Sequence, residues 1–309
     1  MLKLIADSGS TKTDWALVSE SGEVVASCQS QGLNPYHLGE ADILNVLREE
    51  VVVALSRNMN ADLAELGEVF FYGSGVTDAM KAKLSSLLLE VFPNAVCCAE
   101  SDMLGAARAL YGHEKGIAVI LGTGSNSCLY DGKQILEGVP PLGYILGDEG
   151  SGTAIGKAFF RLVLRNPMAQ PLMVQFSEEY QMEYSDIIEY VYGKPLANRF
   201  LASISSFVGE KLRSLQEGNW NTEEERLALV ALQDGMVRVF SDFVGHILSL
   251  YINKVEKMGL ETSKIPVRFV GSVAYYFEPY IEMAMENSPF GMDKVLKSPM
   301  EGLIHYHGK

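Results

Sequence analysis

Two turns of this sequence combine the small and hydroxyl-bearing residues that suit the binding of phosphate groups. The first reads DSGSTKTD over residues 7–14, and the second reads GTGSNS over residues 122–127. Glycine lets backbone N–H groups approach phosphate oxygens closely, hydroxyl groups can donate hydrogen bonds as well, and a lysine adds a point charge. The residues predicted to contact phosphate are Gly9, Ser10, Thr11, Lys12, Thr13, Gly122, Thr123, Gly124 and Ser125.

An acidic residue stands where the first turn begins. Asp7 ends the apolar run LKLIAD, which has the composition of a buried strand. A carboxylate at the carboxyl end of such a strand can hold Mg²⁺ through a bound water molecule. The turn lacks the spacing of a Walker A loop and that of a GxGxxG dinucleotide motif. We therefore predict a phosphate and magnesium site of a different type.

Two further glycine turns supply other chemistry. The turn GDEGSG over residues 147–152 exposes Asp148 and Glu149, which can accept hydrogen bonds from sugar hydroxyls or from a water on a metal ion. Acids are also favoured at an ordinary helix N-terminus, so a purely structural role for them remains open. The turn at Gly271 and Ser272 follows the apolar residues Phe269-Val270, and it would allow close contact with a flat base or a ribose.

The elements that must position these turns follow one pattern used twice. LKLIAD, the first turn, WALV, a tight turn at Ser21-Gly22 and VVA predict a strand meander, and residues 117–136 repeat this order around the second turn. Chance similarity between two meanders is one explanation, and duplication is favoured because both first turns have the phosphate-binding composition. Helical periodicity predicts helices over residues 40–59, 78–92, 101–111 and 223–258, so the fold class is α/β.

Composition limits the function. The chain has 309 residues and a formal net charge of −14, which disfavours nucleic acid and anionic lipid as partners. No apolar run is long enough to span a membrane or to act as a signal peptide. The four cysteines show no metal-ligand spacing, and we expect them to be reduced, buried thiols of a cytoplasmic protein.

The four turns, in this order and spacing, resemble those of the BadF/BadG/BcrA/BcrD ATPase family, which includes N-acetylglucosamine kinases. The resemblance covers nearly the whole chain, although the family usually has glycines where Ser8 and Ser10 stand. It implies two ribonuclease-H-like, actin-like ATPase domains with a nucleotide cleft between them. We expect the first domain over residues 1–114 and the second over residues 115–295. A final helix, at about 296–309, would return to the first domain.

The same resemblance implies roles for further residues. Asp102 aligns with the catalytic aspartate of the kinases, although its position alone would also suit a helix cap. Asn34, Ser74 and Gly75 fall where those kinases line their sugar pocket. The expected reaction is ATP- and Mg²⁺-dependent phosphorylation of an amino sugar at its 6-hydroxyl, by a homodimer. Two alternatives remain: an ATPase that activates a 2-hydroxyacyl-CoA dehydratase or benzoyl-CoA reductase, and a nucleotide-sensing protein without turnover.

Overall fold

The computed structural model describes residues 1–9, 11–57, 63–257 and 261–308. The chain divides into two compact units by the clustering of its internal contacts. Unit 1 comprises Met1–Ala118, Tyr130–Leu136 and Ser298–Lys309, and unit 2 comprises Val119–Leu129 and Glu137–Lys297.

The first sheet has five strands in the order β3-β2-β1-β4-β5. Its strands are β1 Leu2–Ser8, β2 Lys12–Val18, β3 Val24–Gln31, β4 Leu66–Gly73 and β5 Val96–Ser101. The first three strands pair antiparallel, whereas β1 pairs with β4, and β4 with β5, in parallel. The sheet is therefore mixed, and its parallel part places three carboxyl ends along one edge.

Helices cover this sheet because their apolar residues face its buried side chains. They are α1 Glu40–Asn45, α2 Val53–Arg57, α3 Asp78–Val91 and α4 Asp102–Tyr111, with a π-helical segment Val46–Val52 that joins the first two. The predicted helix over 40–59 is confirmed as far as Arg57, and Met59 lies outside the described residues. The buried core includes Trp15, whose indole Nε1 donates to Ser30 Oγ at 2.9 Å.

The second sheet has five strands in the order β10-β9-β6-β7-β8. Its strands are β6 Gly116–Leu121, β7 Ser125–Tyr130, β8 Ile135–Gly138, β9 Val267–Val270 and β10 Met292–Leu296. In both sheets the first strand of a meander lies between the second strand and a later strand. The predicted repetition of the meander is thereby confirmed, and it extends to the order of all five strands.

Unit 2 contains most of the helical residues that the structure describes. After the short helix α5 Gly143–Leu146 come α6 Gly152–Arg165, α7 Gln170–Tyr180, α8 Tyr184–Ile188, α9 Ala197–Glu217, α10 Glu223–Phe243, α11 Ser249–Lys257, α12 Ser272–Tyr276 and α13 Glu278–Met285. A π-helical segment Val244–Leu248 joins α10 to α11, so the predicted long helix is confirmed to Lys257. Met258, its expected end, lies outside the described residues.

The last helix, α14 Met300–His307, packs against β1 and α4 within unit 1. Lys3 Nζ donates to the carbonyl of His307 at 2.6 Å, and Tyr72 Oη lies 2.8 Å from His307 Nε2. His307 is only 8% exposed, and its ring stacks on Phe70 with 3.7 Å between the ring centres. These contacts fix the end of the described chain beside the strand that leads to Asp7.

Two other sequence expectations have a structural outcome. All four cysteines are free, but Cys98 is exposed and Cys28 and Cys97 are half-buried, so the expectation of burial holds only for Cys128. Cys98 is exposed because it alternates along β5 with Cys97 and Ala99, whose side chains pack against the core, so it points to the opposite face of this edge strand. No helix in the described part of the chain combines the length and the apolar character needed to cross a lipid bilayer.

Candidate functional site

The carboxyl ends of β1, β4 and β5 are aligned at one edge of the first sheet. Ser8 pairs with Gly73, and Gly73 pairs with Ser101, so these strands end in register. Asp7 lies one residue before this edge, while Ser74 and Asp102 lie one residue after it. The sheet therefore brings the predicted metal-binding, sugar-binding and catalytic positions of unit 1 to one place, as expected for a parallel arrangement.

The first glycine turn is a tight connection between β1 and β2. The amide of Gly9 donates to the carbonyl of Lys12 at 2.9 Å, and Thr11 and Lys12 are exposed at the tip. Lys12 forms an ion pair with Asp14 at 3.0 Å, in which its ammonium stays more than half exposed. Ser10, which was predicted to contact phosphate, lies outside the described residues.

Thr13 occupies a different environment from the tip of that turn. It is fully buried, its hydroxyl donates to the carbonyl of Gln31 at 3.1 Å, and it lies 2.8 Å from the hydroxyl of Ser8. The Ser8 hydroxyl in turn accepts a hydrogen bond from the amide of Leu33. This placement favours a role for Thr13 in shaping the turn, and among the described residues of the turn the exposed polar side chains are those of Thr11 and Lys12.

The carboxyl group of Asp7 has an unusual electrostatic environment. Burial, followed by the negative charges of Asp102 and Asp14, raises its pKa from 3.8 to about 7, and Lys12 offsets part of this effect. No hydrogen-bond donor within the described residues reaches this carboxylate. Burial and the nearby anions disfavour the charged form of this carboxyl group. A bound cation would stabilise that charged form.

Asp102 is the first residue of α4 and not its cap. Ser101 caps this helix by accepting from the amide of Leu104 at 3.2 Å, while Asp102 Oδ1 accepts from the amide of Met103 at 2.8 Å. Burial raises the pKa of the Asp102 carboxyl, and the hydrogen bond from Met103 opposes that effect. The helix cap therefore exists without Asp102, and only Oδ1 of the Asp102 carboxylate accepts a hydrogen bond from another described residue.

The predicted sugar-binding residues of unit 1 are neighbours. Asn34 Oδ1 accepts from the amide of Tyr36 at 2.9 Å, and a Cβ atom added to Gly75 would lie 2.5 Å from that oxygen. Gly75 has a φ angle of +80°, which favours glycine at this close approach. The hydroxyl of Tyr36 lies 3.2 Å from that of Thr77, so both turns are connected through a largely exposed aromatic ring.

The second glycine turn, in unit 2, presents backbone donors. The amide of Gly122 donates to the carbonyl of Gly124 at 3.0 Å, and the amide of Ser125 donates to Asp148 Oδ1 at 3.3 Å. The amides of Thr123 and Gly124 have no acceptor within the described residues. Free amides on adjacent residues are the donors that an anion would require.

The third turn is tied to the second within unit 2. Asp148 has a φ of +59°, which is costly for a residue other than glycine, and a Cβ on Gly124 would lie 3.0 Å from its carboxylate. Burial raises the pKa of Asp148, against the effects of the Ser125 amide and Lys157. Glu149 Oε1 lies 3.8 Å from Nδ1 of the exposed His246.

The fourth turn borders a cavity in unit 2. Gly271 has a φ of +124°, and a Cβ there would lie 2.2 Å from the carbonyl oxygen of Leu121. Ser272 then begins α12 and lines a cavity of about 420 Å³ between α9 and the helices α12 and α13. Arg213 and Tyr276 also line this cavity. Its lining combines the polar side chains of Ser205, Glu210 and Gln216 with the apolar Leu212 and Val273.

A family model matches residues 6–169, and this range includes the first three glycine turns. The chain belongs to the BadF/BadG/BcrA/BcrD ATPase family. No curated protein matches the sequence.

This family member is similar to several solved structures. A candidate N-acetylglucosamine kinase from Porphyromonas gingivalis is 39% identical over 99% of this chain and 98% of its own, with a TM-score of 0.85. A candidate N-acetylglucosamine kinase from Chromobacterium violaceum is 16% identical over 99% and 98%, with a TM-score of 0.56. A ROK family glucokinase from Streptomyces griseus is 14% identical over 99% and 98%, with a TM-score of 0.59. The last two likenesses show the fold alone, which is that of two-domain actin-like ATPases.

The acidic side chain at the end of β1 in this chain fits a magnesium ion that is shared with a nucleotide. Within the described residues, no group of three or more histidine, cysteine, aspartate and glutamate side chains gathers as a metal site. Mg²⁺ usually keeps several waters and uses one or two carboxylates together with substrate phosphates. Asp7, whose pKa is raised and whose carboxylate accepts no hydrogen bond from another described residue, meets that requirement without a dedicated cage.

Sequence reasoning missed residues that only the fold brings to these turns. Tyr36 and Thr77 connect the turns that contain Asn34 and Gly75, and Arg213 and Tyr276 reach the cavity beside Ser272. The exposed Tyr36 lies two residues from Asn34, and this proximity was its one available signal. Arg213, by contrast, lies in a helix far from Ser272 along the chain, and no local pattern distinguished it.

Proposed function

We propose that this protein is an ATP-dependent kinase that phosphorylates the 6-hydroxyl of an amino sugar, either N-acetylglucosamine or glucosamine. The observation that supports it most is the position of Asp102, at the same sheet edge as Asp7 and with only Oδ1 of its carboxylate accepting a hydrogen bond from another described residue. Ser101, and not Asp102, is the cap of this helix, so capping alone does not account for the acid at this position. A buried carboxylate with a raised pKa is suited to receive a proton.

The reaction balances as a direct transfer. The sugar hydroxyl oxygen bonds to the γ-phosphorus, the bond from that phosphorus to the bridging β–γ oxygen breaks, and ADP leaves. The hydroxyl proton passes to the Asp102 carboxylate. When bound, Mg²⁺ would neutralise negative charge on the phosphates, with Asp7 holding it through water. A base positioned in this way contributes about 10²–10⁴ to the rate of such reactions.

The nucleotide side of the proposal uses backbone donors. Gly9, Thr11 and Lys12 at the first turn, and the amides of Thr123 and Gly124 at the second, would bind the phosphates. The negative net charge of the chain makes such local donors necessary, because long-range attraction for ATP is absent. The cavity beside Ser272 has the size and the polar edges to take the base and ribose.

The acceptor side rests on two groups of residues. The residues that we propose to contact the sugar are Asn34, Ser74 and Gly75 in the first group and Asp148 and Glu149 in the second. An amino sugar is the favoured acceptor because the Porphyromonas gingivalis relative, at 39% identity, is named for N-acetylglucosamine. We also propose that the protein is cytoplasmic, which is supported by its four free cysteines. The proposal that it is a homodimer follows the expectation for the family.

The two alternatives have less support. An activating ATPase would need cysteines that share a metal cluster, but Cys97 and Cys98 are consecutive on β5 and so point to opposite faces of the sheet. A nucleotide sensor without turnover has no use for an acid at the position of Asp102. Iron in the purified protein would favour the first alternative, and ATP binding without acceptor-dependent ADP release would favour the second.

The substitution Asp102→Asn tests the proposal. It should lower kcat by about 10²–10⁴ and leave the dissociation constants of ATP and sugar within about threefold, because the amide keeps the shape but cannot accept the proton. Asp78→Asn is the matched control, since Asp78 is the exposed first residue of α3 and should be dispensable. Full turnover by the Asp102 variant would remove Asp102 from the mechanism.

A further inference from the structure

Thr153 is a buried polar residue that the proposed mechanism does not use. It is the second residue of α6 and is fully buried. Its hydroxyl and its amide both donate to one acceptor, the carbonyl oxygen of Thr123 in the second glycine turn. The amide of the preceding residue, Gly152, donates to the carbonyl of Gly122 at 2.8 Å. The start of α6 thus binds two successive carbonyl groups of the turn.

The hydrogen bonds to the carbonyls of Gly122 and Thr123 determine the direction in which two amides of the second glycine turn point. In a trans peptide the C=O and the N–H of the same unit point in opposite directions, and the described chain contains no cis peptide. The carbonyl of Gly122 shares its peptide with the amide of Thr123, and the carbonyl of Thr123 shares its peptide with the amide of Gly124. Holding both carbonyls against α6 therefore turns both amides away from that helix. These are the two amides without an acceptor among the described residues.

The start of α6, which binds these carbonyl groups, is closely packed in the core of unit 2. A Cβ atom on Gly152 would lie 3.2 Å from both the Gly122 carbonyl oxygen and the Cβ of Ala202, so the helix start fits closely between the turn and α9. Farther along α6, Phe159 contacts Phe176 and Phe207 with 5.6 and 5.4 Å between ring centres. Close packing fixes the position of α6 in unit 2. The hydrogen bonds from the start of α6 therefore fix the position of the second glycine turn.

We propose that Thr153 is a positioning residue, whose hydroxyl fixes the Thr123 peptide so that the amides of the second glycine turn point toward the nucleotide phosphates. This inference rests on the proposed function for the identity of the anion. It assigns Thr153 no contact with substrate. It also explains why a hydroxyl stands at a fully buried position, where valine would have the same shape and avoid the cost of burying a polar group.

The experiment is isothermal titration calorimetry, in which a non-hydrolysable ATP analogue with Mg²⁺ is titrated into the protein and its variants to measure the dissociation constant. Thr153→Val should raise the dissociation constant of the analogue about tenfold, the effect of misplacing about one hydrogen bond to a charged group. Thr153→Ser should restore it to within about twofold of the wild type. Ser151→Ala is the control, because Ser151 is an equally buried hydroxyl that caps the same helix, and it accepts a hydrogen bond from the amide of Ala154, which is not part of the second glycine turn. It should lower thermal stability and leave the affinity unchanged.

Three outcomes would overturn the inference while leaving the kinase proposal intact. These are wild-type affinity in Thr153→Val, equal weakening by valine and serine, and equal weakening by Ser151→Ala. If Thr153→Val does not fold, the comparison of Thr153→Ser with Thr153→Ala decides, since only serine should retain affinity. No binding of the analogue by the wild type would refute the proposed function itself, and the inference with it.

Discussion

His307 should make the stability of unit 1 depend on pH in a defined window. Burial, and then the charges of Arg108 and Lys3, lower its pKa from 6.5 to about 3. The folded protein therefore keeps this imidazole neutral at a pH where the unfolded chain already binds a proton. Stability is complete above the unfolded pKa and is lost as the pH falls from 6.5 toward 3.

The size of the effect follows from that shift. Between about pH 7 and about pH 5, protonation of the unfolded chain at this one residue lowers the free energy of unfolding by about 2 kcal/mol. Asp7 acts in the opposite direction, because its folded pKa of about 7 lies above the unfolded value of 3.8 and its contribution to stability increases as the pH falls. The His307 contribution must therefore be isolated by comparing variants.

Urea unfolding at about pH 7 and about pH 5 measures this difference. In a Trp220→Phe background the fluorescence reports on Trp15, which is buried in unit 1 and is the other of the two tryptophans. His307→Gln should lose about 2 kcal/mol less than its parent on acidification. His305→Gln, an exposed neighbour in the same helix, should behave like the parent. Identical pH dependence in the His307 variant would show that this side chain does not remain neutral in the fold.

Two further predictions concern the site. Gly75→Ala should raise the sugar KM about tenfold and leave the ATP KM unchanged, because its Cβ would lie 2.5 Å from Asn34 Oδ1. Gly112→Ala, which also has a positive φ but meets no atom within 4 Å, should lose some stability and no sugar affinity. Removing divalent cations with EDTA should abolish turnover, and added Mg²⁺ should restore it. Full activity in EDTA, or a Gly112→Ala variant as impaired as Gly75→Ala, would contradict these expectations.

The sequence was informative wherever a local pattern determines local structure. The run LKLIAD and the paired residues Gly122 and Gly124 indicated strands that end in turns, because backbone period and glycine act over a few residues. The helix 102–111 was predictable from its Ala/Leu content and from Gly112, which ends it. The repeated meander was predictable for the same reason.

The burial and the long-range hydrogen bonds of individual side chains could not be predicted in this way. Nothing local indicates that the hydroxyl of Thr13 is buried against Gln31 while that of Thr11 is exposed, because burial depends on β3 and on distant strands. The pairing of Thr153 with Thr123 joins residues 30 positions apart, and it is visible only once α6 is packed. Residues 160–220 include the end of α6 and all of α7, α8 and α9, and α6, α7 and α9 meet through packed aromatic rings such as those of Phe159, Phe176 and Phe207.

The most direct test of the kinase proposal is the stoichiometry of ADP release. With Mg²⁺ and ATP, we expect ADP to form only when an amino sugar is added, with one sugar 6-phosphate detected by ³¹P NMR for each ADP. N-acetylglucosamine, glucosamine and plain glucose should be compared at equal concentration. ADP that forms at the same rate without any sugar, or no turnover with every acceptor, would contradict the assignment.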